Sequence, residues 1–146
     1  MTTSGLSTVV AVVLGATALI FNALSVPQPV APTTVDLSLI ITGLGAAGEP
    51  ATHHFYNPQM VVTRKGDTVR LRVMNLSFAS HAIQVDGYGA RTKILSGGEG
   101  DTISFVAEKG GMFSYRCYIP HDPATGVCSP DHETMIGYLV VLDPLR

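Results

Sequence analysis

Asp67-Thr68-Val69-Arg70-Leu71-Arg72-Val73-Met74-Asn75 alternates without a break: Val69, Leu71 and Val73 fall on one side, Arg70, Arg72 and Met74 on the other. Successive side chains of a strand point to opposite faces, so the stretch predicts a strand with one face buried. The same period recurs at 35–42 (VDLSLIIT), 58–63 (PQMVVT), 80–87 (SHAIQVDG), 101–108 (DTISFVAE), 111–117 (GMFSYRC) and 135–142 (MIGYLVVL). Turn residues fill the gaps, as in Lys65-Gly66-Asp67, Asp86-Gly87 and Lys109-Gly110-Gly111. Seven short strands with no helical stripe among them predict a mainly β chain folded as an antiparallel β-sandwich. Gly97-Gly98-Glu99-Gly100 reads as a hairpin turn; no helix follows it that could cradle a phosphate.

Outward from these strands the composition changes sharply. The chain has 146 residues, 46% apolar and 14% charged, which suits one domain at roughly 150 residues. A net charge of -2 and no basic stripe argue against nucleic acid as a partner. The first charged side chain is Asp36. Before it, Gly5 to Val26 (GLSTVVAVVLGATALIFNALSV) carries no charge and ends at Pro27. About 20 apolar residues at 1.5 Å each cross a ~30 Å hydrocarbon core, so the run predicts a membrane helix. A cleaved leader is the competing reading, through Ala23-Leu24-Ser25, but no basic residue precedes the apolar run. The expected organisation is an anchor helix at 1–26 in membrane lipid, a stiff Pro-rich linker at 27–34, and a globular domain at 35–146.

Chemistry concentrates between the last two predicted strands. Cys117 and Cys128, with His121, His132 and Met135, all lie in one short loop. Thiolate, imidazole and thioether are the soft and borderline ligands that select copper, whereas zinc more often takes paired Cys-x-x-Cys ligands and has little use for Met135. His81, opening the apolar run HAIQV, is the upstream nitrogen candidate, since strand ends of a sandwich gather at one pole. No Ser-His-Asp order or paired-carboxylate site stands out, and no catalytic residue is expected.

Tyr56-Asn57-Pro58, Gly66-Asp67-Thr68-Val69, Asn75, Ser80-His81, Phe113-Ser114-Tyr115-Arg116-Cys117 and His132-x-x-Met135-x-Gly137 together resemble a cupredoxin. More closely, the chain is similar to subunit II of the single-helix haem-copper cytochrome c oxidases, whose Greek-key sandwich carries a binuclear purple-copper (CuA) centre outside the membrane. That family's motif is Cys-x3-Cys-x3-His-x2-Met with a distant upstream His. Cys128-x3-His132-x2-Met135 matches its second half, His81 its upstream ligand, and Cys117 its first cysteine. Here ten residues separate the cysteines, and His121 stands where the family's second cysteine would be.

The resemblance implies a single-pass protein of the cell membrane with its copper domain on the extracytoplasmic side. Its role would be electron transfer from a soluble donor, cytochrome c or a small copper protein, to a membrane oxidase subunit in the respiratory chain. That partner would hold the haem and reduce oxygen. The chain has no Trp, so Phe55, Tyr56, Tyr88 or Tyr118 would replace the family's aromatic contact for the donor.

Three readings of the loop stay open. In the binuclear one, Cys117 and Cys128 bridge two coppers, His81 and His132 cap them, and Met135 is axial. In the mononuclear one, a free-standing tethered blue-copper carrier uses Cys117, His81, Met135 and either His121 or His132. In the third, a Cys117–Cys128 disulfide braces a metal-free accessory sandwich. His53-His54 reads as solvated loop. Met60, Met74 and Met112 read as packing or surface residues, and Asp122, Asp131 and Glu133 as a solvated rim able to steer a cationic donor.

Overall fold

The computed structural model describes residues 30–44 and 53–144. The expected anchor at 1–26 lies outside them, and no helix among the described residues is long and apolar enough to cross a membrane. Those residues form nine strands: β1 (Thr34–Leu44), β2 (His53–Asn57), β3 (Met60–Arg64), β4 (Thr68–Asn75), β5 (Gln84–Val85), β6 (Ala90–Arg91), β7 (Gly100–Val106), β8 (Gly111–Arg116) and β9 (Ile136–Leu142). One 3-10 turn, His132–Thr134, precedes β9. Two sheets result, in the orders β2-β1-β4-β7 and β3-β9-β8-β5-β6.

The alternation that predicted β4 is what closes the sandwich. Val69, Leu71 and Val73 are buried, and the register places Leu37 and Ile103 beside Leu71 and Leu39 beside Val73. The facing sheet supplies Val61, Val85, Tyr115, Leu139 and Val141. Arg70 and Arg72 remain in water on the outer face. Met60, Met74 and Met112 are also exposed, which places them on the surface.

The sandwich is not purely antiparallel. β1 runs parallel to β4, and β3 parallel to β9, while the remaining pairs are antiparallel. Side-chain alternation reports which face is buried but carries no information on the direction of the neighbouring strand. Likewise the predicted strand at 80–87 pairs within a sheet only at Gln84–Val85; His81 instead makes an isolated bridge to Leu95. His53-His54, expected as solvated loop, opens β2 at a sheet edge, and the short β6 was not expected at all.

Buried polar groups hold the strands' ends together. The Asp67 carboxylate accepts hydrogen bonds from the Thr33 and Arg64 amides and from the Thr33 and Thr63 hydroxyls, fixing the start of β1 to the β3–β4 turn. Those donors, led by the Thr33 amide, hold its carboxyl below the usual carboxylate range. Near the site, the Tyr115 hydroxyl donates to the Pro58 carbonyl (2.8 Å), and the ring meets Tyr56 edge-on at 5.3 Å. Gly137 pairs with Tyr115 across β8 and β9, and a Cβ at 137 would overlap the Tyr115 ring. Gly137→Ala should therefore lower the unfolding free energy by about 1–3 kcal/mol through overpacking, as read from a chemical-denaturation midpoint. An unchanged midpoint would show that the Tyr115 ring is free to move.

Candidate metal centre

Placement of His81 starts at the end of β4. The buried Asn75 carboxamide donates to the carbonyls of Ala79 and Leu95, each at 2.8 Å, and accepts from the Ser77 amide and hydroxyl. Leu95 in turn exchanges two backbone hydrogen bonds with His81, at 2.9 and 2.7 Å. His81 is thus locked to a segment that Asn75 also grips. Its ring is fully buried, and neither nitrogen has a hydrogen-bond partner. Leaving a buried polar atom unpaired costs roughly 1–3 kcal/mol, so two orphans on one ring are the mark of a ligand position.

Cys117 follows directly on β8, whose pairing with β9 and β5 sets its height in the sandwich. Cys128 arrives differently. Its amide donates to the Ser80 carbonyl at 2.7 Å, and the Ser80 amide donates to Gly126, so the loop docks beside His81. Cys128 adopts φ +58°, the left-handed region that costs a side-chain-bearing residue roughly 1–2 kcal/mol. The two sulphurs end 3.4 Å apart, and His81, Cys117 and Cys128 present ligand atoms all within 4.8 Å of one another.

Both cysteines are free, which corrects the disulfide reading. Their sulphurs stand at contact distance, whereas a bond needs ~2.05 Å. Two thiolates on one tetrahedral ion at ~2.3 Å would lie about 3.8 Å apart, close to the spacing found. Two sulphurs and an imidazole nitrogen form a donor set suited to a soft metal ion.

The thiols share their protons unequally. The Cys128 thiol hydrogen bond to the Cys117 sulphur pulls Cys117 well below the ordinary thiol range; His81 and the Ala82 and Ile119 backbones add to this, against the opposing effect of burial. Cys128 is pushed up by that same bond, by burial and by the charge on Cys117.

The remaining expected ligands are Met135, His132 and His121. Met135 is fully buried in the same apolar cluster as both thiols, with its sulphur 3.6 Å from the Ser129 hydroxyl. His132 lines a cavity of about 550 Å³ together with Cys117, Gln84, Arg116, Tyr118, Glu133 and Ile136, and its Nδ1 is buried without a partner. His121 Nδ1 is also buried and unpartnered. Neither His121 nor His132 joins the tight set of His81 and the cysteines.

The solvated reading of His53-His54 agrees with His53, which is exposed, and is corrected at His54. His54 is buried, and its ring lies 4.9 Å from that of His81 at an interplanar angle of 56°. Burial, then the neighbouring His81, keeps its pKa below the usual imidazole value. Asp131 is no solvated rim residue: it accepts from the His54 amide (3.0 Å) and the Ser129 hydroxyl (2.6 Å) and pairs with His53 Nδ1 at 2.6 Å. One carboxylate therefore clasps β2 to the ligand loop. The signal that could have found His54 is the alternation His54-x-Tyr56, whose members share the buried face of β2. Tyr56 is accordingly buried and is no contact for a donor, while Tyr118 is partly exposed at the cavity beside Cys117. Tyr88 packs on Phe105 and Phe113 and donates to the Lys109 carbonyl. Phe55 is half-buried, its ring 6.4 Å from that of His53.

No family model and no curated protein matches the sequence. Solved structures do match in fold. Auracyanin from Roseiflexus castenholzii aligns with TM-score 0.54 and 20% identity over 77% of this chain and 98% of its own. Copper nitrite reductase from Nitrosomonas europaea gives 0.54 and 23% over 75% of this chain and 42% of its own. A multi-copper oxidase from Pseudomonas thermotolerans gives 0.55 and 19% over 80% of this chain. This chain spans 31% of that oxidase. The fold is that of the cupredoxins. In this cupredoxin-like sandwich, His81 and the two cysteines come together at one place.

The proton sharing has a direct consequence. In metal-free protein, Cys128→Ala removes the S–H donor, so the Cys117 thiol should titrate at higher pH than in the parent. Thiolate ultraviolet absorbance followed against pH tests this; an unmoved Cys117 titration would assign the effect to His81 and the backbone instead.

Proposed function

We propose that the chain is a copper electron-transfer protein tethered to the membrane, passing electrons from a soluble donor to a haem-bearing oxidase subunit. The observation that carries this reading is the buried Cys117–Cys128 thiol pair at 3.4 Å with both nitrogens of His81 unpartnered beside it. Copper in the matched proteins supports the choice of metal: copper is named for the nitrite reductase and the multi-copper oxidase that share the fold. Copper bound here would supply one-electron redox chemistry.

Contact between the two sulphurs favours the binuclear arrangement over the blue-copper one, whose single thiolate would leave Cys128 a bystander. Cys117, Cys128, His81, His132 and Met135 would hold the copper. The chain's own task is to hold these groups still and dry. Cys117, Cys128 and Met135 are all withdrawn from water, and Cys128 and His81 are tied by backbone bonds to neighbouring segments. Ligands fixed in this way keep similar positions in both oxidation states, which favours rapid transfer. The membrane tether rests on the uncharged run Gly5–Val26, and the oxidase partner on the resemblance of the ligand motif.

Purified protein should bind two coppers per chain and show a delocalised mixed-valence spin-resonance spectrum. Cys128→Ser should convert that spectrum to a mononuclear type or lose the metal. One copper per chain, with a spectrum unchanged in Cys128→Ser, would overturn the binuclear reading. Isolation from native membranes should bring down a multi-helix haem subunit; a chain recovered alone would overturn the oxidase role.

A further inference from the structure

His54 is a buried imidazole that neither the ligand motif nor the fold assigns to anything. It is 4% exposed, its Nδ1 has no hydrogen-bond partner, and its ring lies against His81, 4.9 Å between centroids. Such a residue is expensive to keep in a core for packing alone, since Phe would fill the space with no orphaned nitrogen.

Its surroundings hold it firmly in place. The His54 amide donates to Asp131 Oδ2, and His54 Nδ1 stands 4.0 Å from Asp131 Oδ1, too far for a hydrogen bond. Asp131 Oδ1 is already engaged by the Ser129 hydroxyl. On its other side His54 borders a cavity of about 250 Å³ whose wall includes Cys128, Ser129 and Phe78. The imidazole therefore lies against one member of the metal-binding set, His81, and shares a cavity wall with another, Cys128, yet is not part of that set.

His81 supplies the matching need. A histidine that binds a metal through one nitrogen carries a proton on the other, and that N–H ordinarily donates to a neighbouring acceptor that fixes the ring and raises its basicity. Both His81 nitrogens are buried and unpartnered, so binding through one leaves the other in want of an acceptor. The neighbouring ring with a free buried nitrogen is His54.

Resting on the copper reading above, we propose that His54 is the positioning residue of the metal centre, accepting the hydrogen bond of the metal-free nitrogen of His81. Two imidazoles joined by an N–H···N bond hold their centroids roughly 5 Å apart, the separation these rings have. Asp131, by gripping the His54 backbone, ties the orientation of this acceptor to the loop that carries Cys128 and Met135.

The test is copper affinity, measured by chelator competition on the full-length protein, with the spin-resonance nitrogen couplings as a second readout. His54→Phe keeps a ring of similar size without the nitrogen, and His54→Gln restores a polar acceptor. The expected result is an affinity about 10–100-fold lower in His54→Phe with altered nitrogen coupling, and partial recovery of both in His54→Gln. Circular dichroism confirms that both variants are folded. Affinity and couplings in His54→Phe equal to the parent's would overturn the proposal, as would losses equal in both variants, which would assign the ring to packing. Parent protein that takes up no copper would defeat the copper reading itself; copper uptake by the parent with an indifferent His54→Phe defeats this inference alone.

Discussion

The Asn75 carboxamide is the contact on which the site's geometry hangs. It closes the tight turn after β4 through Ser77 and Ala79 and reaches across to the Leu95 carbonyl. A fully buried amide can be tolerated only when its donors and acceptor are used, and here its two N–H groups and its oxygen all are. The result is a rigid corner from which the chain leaves toward His81 in a fixed direction. His81 then pairs with Leu95, and Ser80 offers its carbonyl to the Cys128 amide. Removing the carboxamide would orphan the buried Ser77 amide and take one hydrogen bond from each of the Ala79 and Leu95 carbonyls, leaving them those from the Ser77 hydroxyl and the His81 amide, and so would loosen the corner that aims His81.

The ligand loop is held from two further sides. Cys128 sits in a left-handed conformation that its side chain disfavours, and the neighbouring Ser80–Gly126 and Ser80–Cys128 bonds hold it there. Within the loop, Asp122 accepts from the Ala124 amide and the Thr125 hydroxyl, so the residues separating the cysteines form their own compact turn. Farther on, Asp131 binds Ser129, His53 and the His54 backbone. The long spacing between the cysteines is thereby absorbed without moving the sulphurs apart. Ten intervening residues span far more distance than 3.4 Å requires, and the surplus folds back on itself.

Legibility in the sequence followed the physics of each element. Strands with a clean inside and outside, such as β4 and β9, were readable because one face is buried and the other solvated. Chain direction was not readable: the parallel pairing of β1 with β4 depends on crossovers far along the chain, which leave no local trace. β2 was missed because His53-His54-Phe55-Tyr56-Asn57 carries few β-branched residues and two histidines that look solvated. Its inward face, His54 and Tyr56, becomes apolar in effect only when Tyr115 and His81 are in place to receive it. The placing of His81 beside Cys117 and Cys128 was legible because each residue type has a shared purpose in metal chemistry. The role of Asp131 was not, since a carboxylate in a polar loop looks the same from its neighbours whether it faces water or clasps a strand.

A buried pair of thiols also poses an electrostatic problem, which the surroundings resolve by making the two sulphurs unequal. Two thiolates at 3.4 Å would repel strongly in a medium less polarisable than water, so a site that must exist without metal cannot carry both charges. Cys117 takes the charge, chiefly through its hydrogen bond with Cys128, with the nearby His81 ring and the Ala82 and Ile119 backbones adding to it. Cys128 keeps its proton: its hydrogen bond to Cys117, its burial and the charge on Cys117 all oppose ionising it, and the carboxylate of Asp131 adds to the cost. The same clasp that fixes the loop thus also helps decide which sulphur is anionic. Asp131 acts on position directly and on charge in a lesser way, behind the bond between the sulphurs and their burial, so a change there is felt first in the loop and only second in the balance of the thiol pair.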